Sequence, residues 1–172
     1  MSDCIVNSIK TSTDLMFHNL KIAMKTCDWK AEICEAPMWR YIYHTLHSCD
    51  KYFINPHVYT EPPFHHNGMD WPDSPCETVL DEHQLWEYYE FVREKTLAYI
   101  SSLDDEQICA VPDGCCSSRF ELILSQFRHM YVHIGILNGV TIEITGQYPR
   151  VLNESCFKKG ELTDSLFDDD VR

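Results

Sequence analysis

Two histidines stand four residues apart in the stretch SQFRHMYVHIG, residues 125–135. In an α-helix, residues at i and i+4 lie on the same face, so His129 and His133 are expected to point in the same direction. Two neutral imidazoles placed in this way can bind one divalent metal ion. An H-x-x-x-H pair also arises by chance on many helices, so a metal site needs further ligands from elsewhere in the chain.

A third imidazole is available in the segment APMWRYIYHTLHSCDKYF, residues 36–53. At about 100° per residue, His47 lies about 80° from Trp39, at the edge of the apolar face, whereas His44 projects about 140° from Trp39, towards the solvent side. The pattern therefore favours His47 as the third inward-facing imidazole. Since the two candidates differ by one helical turn, His44 stays open as the alternative.

Three inward histidines, His47, His129 and His133, predict a divalent metal site among the helices. Three protein ligands leave a coordination position open for water or substrate, which is typical of catalytic rather than structural zinc. Imidazoles bind zinc, nickel, copper and iron, and we expect zinc or nickel. Three polar residues are expected to orient the ligands from outside the coordination shell: Asp50, Gln126 and Tyr43.

Four amphipathic segments must position these side chains. They are STDLMFHNLKIAMKTC, the segment 36–53, DEHQLWEYYEFVREKTLAYISSL, and a helix that begins after DGCCSS and ends near Gly139 or slightly beyond. The β-branched stretch VTIEIT that follows could simply extend this last helix. Four such helices predict an all-α four-helix bundle. We expect a single domain over residues 1–172, with a core of about 10–145 and a loosely attached C-terminal tail.

The connection between the second and third helices is unusually long. Residues 54–80 are rich in proline, histidine and aromatic residues, and unstructured connections of this length are uncommon in compact domains. We therefore expect this loop to pack over the metal site and to shape a pocket. The pair His65 and His66 is expected at the surface, with one of them reaching the open metal position if the loop closes over it.

Composition excludes several classes of partner. With 27 acidic and 14 basic side chains the net charge is −13, so we expect neither nucleic acid nor an anionic membrane as a partner. No apolar run resembles a signal peptide or approaches the roughly 20 residues of a membrane span. The nine cysteines are odd in number and include no C-x-x-C pair. These features predict a cytoplasmic protein with reduced thiols.

The order W-x7-H-x-x-D (Trp39, His47, Asp50) and, much later, H-x-x-x-H (His129, His133) resembles the DinB/YfiT-like superfamily of bacterial four-helix bundles. The phrases YYEFVREKTLAYISSLDDEQ and FELILSQFRHMYVHIGILNG extend the resemblance from about residue 10 to about residue 140. The resemblance implies an up-down-down-up bundle with a long crossover between helices two and three. It also implies that the three histidines named above are the metal ligands.

By the same resemblance, we expect a homodimer and a metal-dependent enzyme, such as a thiol-dependent transferase or a hydrolase. Some members of the superfamily are bacillithiol S-transferases or mycothiol-dependent isomerases. The partner would then be a small-molecule substrate, with or without a low-molecular-weight thiol. The alternative is a non-catalytic metal-binding or stress-response interaction module built on the same bundle. A third interpretation is a plain interaction bundle whose histidines are hydrogen-bonded in the core.

Overall fold

The computed structural model describes residues 4–160 and 165–168 and is almost entirely helical. Its long helices are α1 (Cys4–Thr26), α2 (Met38–Tyr52), α3 (Glu82–Ser101) and α5 (Arg119–Thr145). Shorter elements are β1 (Glu32–Ile33), β2 (Ala36–Pro37), a 3-10 turn (Pro56–Val58), α4 (Asp105–Cys109) and α6 (Glu154–Lys158). Within the described ranges, no helix has the length and apolar content that crossing a membrane requires. The prediction of an all-α protein is confirmed.

The four long helices enclose one hydrophobic core. Helices α1 and α2 each pack against both α3 and α5. Each fully buried aliphatic or aromatic side chain stabilises the fold by about 1.5–3 kcal/mol relative to its exposure to water. Side chains with no exposed surface come from all four helices: Phe17, Leu20, Ile42, Leu46, Leu85, Val92, Met130 and Leu137.

Local signals set the ends of α5, whereas a distant residue sets the start of α1. Ser118 and Glu121 form a capping box at the start of α5, and Gly146 ends that helix in a left-handed conformation with φ of 70°. The stretch VTIEIT therefore belongs to α5. Helix α1 begins at Cys4, upstream of the predicted segment, because the Asp105 carboxylate accepts hydrogen bonds from the first turn of its backbone.

The segment that follows α5 folds back onto α1. The Asn19 side chain, which is 2% exposed, accepts a hydrogen bond from the Leu152 backbone N–H and donates one to its carbonyl. Pro149 and Phe167 pair through an isolated antiparallel bridge, and α6 packs against α1. This segment lies beyond the predicted core of about 10–145, and the rest of the acidic end, residues 161–164 and 169–172, lies outside the described residues.

Arg40, on α2, holds part of the long loop against the helices. Its side chain is 6% exposed, and its guanidinium donates hydrogen bonds to the backbone carbonyls of Gly68, Trp71 and Ser74. Hydrogen bonds from a charged donor are roughly twice as strong as neutral ones. The loop is therefore anchored over one side of α2.

Candidate metal centre

Three imidazole nitrogens converge at the seam between α2 and α5. The Nε2 atom of His129 lies 3.0 Å from Nε2 of His44 and 3.1 Å from Nε2 of His133. Three nitrogens bound at ~2.0–2.1 Å to one ion, at angles of 90–109°, are about 2.8–3.4 Å apart. The separations of 3.0 and 3.1 Å lie in this range, so the arrangement fits a divalent metal ion.

Helix geometry and the long loop together orient these rings. His129 and His133 are four residues apart on α5 and therefore share a face. The Nδ1 atom of His44 is hydrogen-bonded to the backbone carbonyl of Asp70, in the loop that Arg40 anchors. Because a carbonyl only accepts, Nδ1 of His44 carries the proton, and its Nε2 lone pair points into the cluster. This is the common way in which proteins orient a metal-binding histidine.

Hydrogen bonds among neutral imidazoles do not satisfy this cluster. If Nε2 of His129 carries a proton, it donates to His44 and has no lone pair to accept from His133. If Nε2 of His129 carries no proton, it accepts a hydrogen bond from His133, but its lone pair then faces the lone pair of His44. At most one of the two close contacts is therefore a proper hydrogen bond. A cation at the centre would accept all three lone pairs.

Burial keeps the two α5 histidines neutral. Burial lowers the pKa of His129 from 6.5 to about 4, and the nearby His44 lowers it further by charge repulsion. Burial lowers the pKa of His133 to about 3, and charge repulsion from His129 and then His44 acts in the same direction. Their Nδ1 atoms are buried and, within the described part of the chain, have no hydrogen-bond partner. Neutral imidazoles are the form that binds metal, so no proton has to be displaced at neutral pH.

These lowered pKa values predict that acid destabilises the metal-free protein. As the pH falls from 6.5 towards 4, the unfolded chain binds protons at His129 and His133 that the folded chain does not bind. The free energy of unfolding should therefore decrease, by at most about 1.4 kcal/mol per histidine for each pH unit. Urea unfolding between pH 7 and pH 5 measures this slope, before most carboxylates titrate.

A variant with both His129→Asn and His133→Asn is the control for that slope. Its stability should change less between pH 7 and pH 5, because only the remaining histidines contribute. An identical slope in the wild-type protein and the variant would contradict the assignment of this acid sensitivity to the cluster.

The structure groups the predicted ligands differently from the expectation. It brings His129 and His133 together with His44, and it places His47 in a different cluster. His47 is buried, as predicted from the apolar face, with 2% of its surface exposed. His44 points away from that face, but Asp70 and Trp71 of the long loop cover part of this side of α2, so His44 is half-buried. The apolar periodicity of α2 alone does not predict that a loop covers this side of the helix.

His47 belongs to a hydrogen-bonded cluster with the long loop. Its Nε2 atom lies 2.5 Å from Oε2 of Glu61, while Lys51 Nζ lies 3.0 Å from Oε1. The His65 ring stacks on His47 at 4.7 Å and 11°, and its Nδ1 bonds to the Tyr43 hydroxyl at 2.6 Å. Burial raises the pKa of Glu61, but the hydrogen bonds from His47 and Lys51 outweigh it and lower the pKa to about 2.

This second cluster also has the composition of a metal site, but its geometry is that of an ion-paired network. The candidate ligand atoms of His47, Glu61 and His65 lie within 4.8 Å of one another. The lone pairs of two parallel rings do not converge on one point, and the Glu61 carboxylate already accepts from His47 and Lys51. The geometry therefore favours the three-histidine cluster as the metal centre.

The side chains predicted to orient the ligands have other partners. The Asp50 carboxylate accepts hydrogen bonds from the Tyr88 hydroxyl at 3.0 Å and from Lys95 Nζ at 2.5 Å, which joins α2 to α3. Gln126 accepts a hydrogen bond from the Ser48 hydroxyl at 3.3 Å, which joins α5 to α2. Tyr43 binds His65, as described above. The group that orients a ligand is instead the carbonyl of Asp70, which sequence reasoning missed because backbone atoms carry no sequence signal.

A cleft of about 240 Å³ opens beside the three histidines. His44 and His129 contribute to its wall, and so does His47 of the second cluster. The other lining residues are Ser48, Lys51, Tyr52, Asp70 and Trp71. A small molecule in this cleft would contact both histidine clusters.

Comparisons with known protein families, with curated proteins and with solved structures gave no match. The DinB/YfiT-like resemblance therefore stays a prediction.

Proposed function

We propose that this chain is a metalloprotein that binds one divalent transition-metal ion through the Nε2 atoms of His44, His129 and His133. The proposal rests on the convergence of these nitrogens, with separations of 3.0 and 3.1 Å. A metal ion accepts three lone pairs at once, which hydrogen bonds between neutral imidazoles do not achieve. We assign zinc or nickel, because imidazole nitrogens suit both ions.

We further propose that the metal centre is catalytic. Three protein ligands leave a coordination position, and the adjoining cleft gives a small molecule access to it. A divalent ion in such a site supplies Lewis acidity, which lowers the pKa of a water or a thiol. His47 lines the same cleft, and burial lowers its pKa although the bond to Glu61 acts in the opposite direction. A neutral His47 whose Nε2–H bonds to Glu61 has its lone pair on Nδ1, where it can accept a proton.

The substrate class follows from the size of the cleft and from the DinB/YfiT-like resemblance. A volume of about 240 Å³ lies below the ~300–1,000 Å³ of drug-sized ligand pockets and therefore limits the substrate to a smaller molecule. The resemblance favours thiol-dependent transfer or hydrolysis with a low-molecular-weight thiol. In this proposal His44 takes the ligand position that the resemblance assigned to His47. The four long helices form an up-down-down-up bundle, with residues 54–80 as its crossover. The protein is a cytoplasmic homodimer without a nucleic-acid or membrane partner.

Cobalt substitution tests whether the metal has an exchangeable position. The Co²⁺-loaded protein should show visible absorption bands of cobalt bound by imidazoles. Addition of 2-mercaptoethanol should change these bands and add a thiolate-to-cobalt charge-transfer band. The variant with His129→Gln and His133→Gln should show neither spectrum, because it lacks two of the three ligands.

Two other outcomes would contradict parts of this proposal. Cobalt bands that stay unchanged with both the thiol and azide would indicate a filled coordination shell, and would favour the non-catalytic metal-binding module. Absence of cobalt binding to the wild-type protein would remove the metal centre itself, and would favour the interaction bundle.

A further inference from the structure

The outward side of α5 is poor in charged residues. Residues 129–142, which make about four helical turns, contain no Asp, Glu, Lys or Arg. The outward side of α3 is acidic by comparison, with exposed carboxylates at Glu82, Glu87, Glu90 and Glu94. A helix that is apolar on all sides is normally covered on all sides. Within the described part of the chain, however, this side of α5 is open to water, and Val132 is 60% exposed.

The exposed residues form one stripe along α5. At about 100° per residue, its members lie within about 80° of one another. They are Arg128, Val132, Gly135, Gly139 and Glu143, all of them exposed. Among the described residues, a Cβ atom built on Gly135 or Gly139 would meet nothing within 4 Å outside the backbone of its own helix. Neither glycine is therefore needed for packing within the protomer, and both let another helix approach closely.

Two opposite charges mark the ends of this stripe. Arg128 lies four residues before Val132, and Glu143 lies four residues after Gly139, so the stripe has a cation and an anion at equal distances from its midpoint. Neither side chain has an ion-pair partner among the residues that the structure describes. A second copy of α5, laid antiparallel about a twofold axis at that midpoint, would place Arg128 of each copy opposite Glu143 of the other. In the same register, Val132 lies opposite Gly139 of the second copy.

We propose that two copies of this chain associate through the outward sides of their α5 helices, packed antiparallel about a twofold axis between Gly135 and Ile136. The Val132 side chain of each copy occupies the open space over Gly139 of the other, and an Arg128–Glu143 ion pair lies at each end. Such an interface is self-complementary in shape and in charge. This inference rests on the homodimer of the proposed function and not on the metal centre.

The charge of the whole chain favours this face over others. Each copy carries a net charge of −13, so most surfaces of two copies repel each other. The stripe on α5 avoids that repulsion, because its middle is uncharged and its two ends have opposite signs. An interface made mainly by one helix from each copy is small, so we expect a dissociation constant of roughly 1–100 µM. Sedimentation equilibrium across the micromolar range measures it.

Charge reversal tests the face and its direction together. Glu143→Arg places two cations opposite each other at both ends of the interface and should weaken dimerisation at least about tenfold. Glu94→Arg, on the exposed side of α3, is the matched control because it changes the net charge by the same amount. Since it only reduces the overall repulsion, its dimer should be at least as tight as that of the wild-type protein.

A double variant tests the antiparallel register. Arg128→Glu alone should weaken dimerisation at least about tenfold, as Glu143→Arg does. Arg128→Glu combined with Glu143→Arg forms the same two ion pairs with reversed signs. Its dissociation constant should therefore return to within about threefold of the wild-type value.

Gly139→Leu tests the close approach of the two helices. The new side chain has open space in the protomer, and leucine is a better helix former than glycine, so the urea midpoint of the monomer should not decrease. In the dimer, the same side chain occupies the space that Val132 of the second copy needs. Dimerisation should weaken at least about 100-fold.

The outcomes separate this face from the homodimer itself. A wild-type protein that stays monomeric across the micromolar range would overturn both. A dimer that Glu143→Arg weakens no more than Glu94→Arg does would overturn this face alone. A double variant with unchanged helix content that does not recover the affinity would overturn the antiparallel register. We expect the same results with zinc and with a chelator, so failure of the metal centre would not affect this test.

Discussion

Zinc is expected to raise the free energy of unfolding by about 2.7 kcal/mol when its free concentration is 100 times its dissociation constant. The folded chain presents three converging imidazole nitrogens, whereas the unfolded chain does not hold them together. Binding to the folded state alone therefore adds stability through mass action. Urea unfolding with zinc and with a chelator at pH 7 measures the increment.

Two variants one helical turn apart identify the third ligand. In His44→Gln the zinc affinity should fall by more than about 100-fold, because loss of an outer-shell partner alone costs about 10–100-fold. At the same zinc concentration, the increment should then drop to about 0.4 kcal/mol or less. His47→Gln loses its bond to Glu61 and should be less stable in the absence of metal, but its zinc increment should stay near 2.7 kcal/mol. If zinc stabilised His44→Gln as much as the wild-type protein and hardly stabilised His47→Gln, the proposed ligand set would be wrong.

Replacement of Arg40 by methionine is expected to destabilise the protein by about 3 kcal/mol, because the buried guanidinium donates hydrogen bonds to three loop carbonyls. The same change should weaken zinc binding about 10–100-fold, since the loop that it releases carries the Asp70 carbonyl bonded to His44. Urea unfolding of the metal-free protein and a competitive zinc titration measure the two effects separately.

Arg128→Met is the matched control for Arg40→Met. Arg128 lies exposed on α5, so its replacement should change the stability by no more than about 0.5 kcal/mol and leave the zinc affinity as it is. If Arg40→Met bound zinc as tightly as Arg128→Met, the loop would not hold His44 in place.

The parts of the fold that follow from local chemistry could be predicted from the sequence. The apolar periodicity indicated the four long helices, and the predicted start of the last one after DGCCSS agrees with the capping box at Ser118. Helix α4 was missed although Asp104 and Gln107 form a capping box, because the helix is only five residues long. The earlier start of α1 depends on Asp105, about 100 residues away in the chain, and no local pattern indicates such a contact.

The same division applies to the proposed metal centre. His129 and His133 could be paired from the sequence because i,i+4 spacing places them on one face of a single helix. The third ligand could not be chosen in this way. On α2 alone, His44 would face solvent, and only the long loop, which lies distant in the sequence, covers part of that side of the helix. Arg40 lies four residues before His44 and therefore on the same side of α2, but a polar pair on one helix face is typical of a surface in contact with solvent. The pair therefore gave no signal of the loop that covers it.

Anomalous scattering at the zinc edge, from crystals of the zinc-loaded wild-type protein, tests the central claim most directly. We predict one strong peak at ~2.0–2.1 Å from the Nε2 atoms of His44, His129 and His133. A peak between His47, Glu61 and His65, or no peak from protein equilibrated with zinc, would contradict the three-histidine centre.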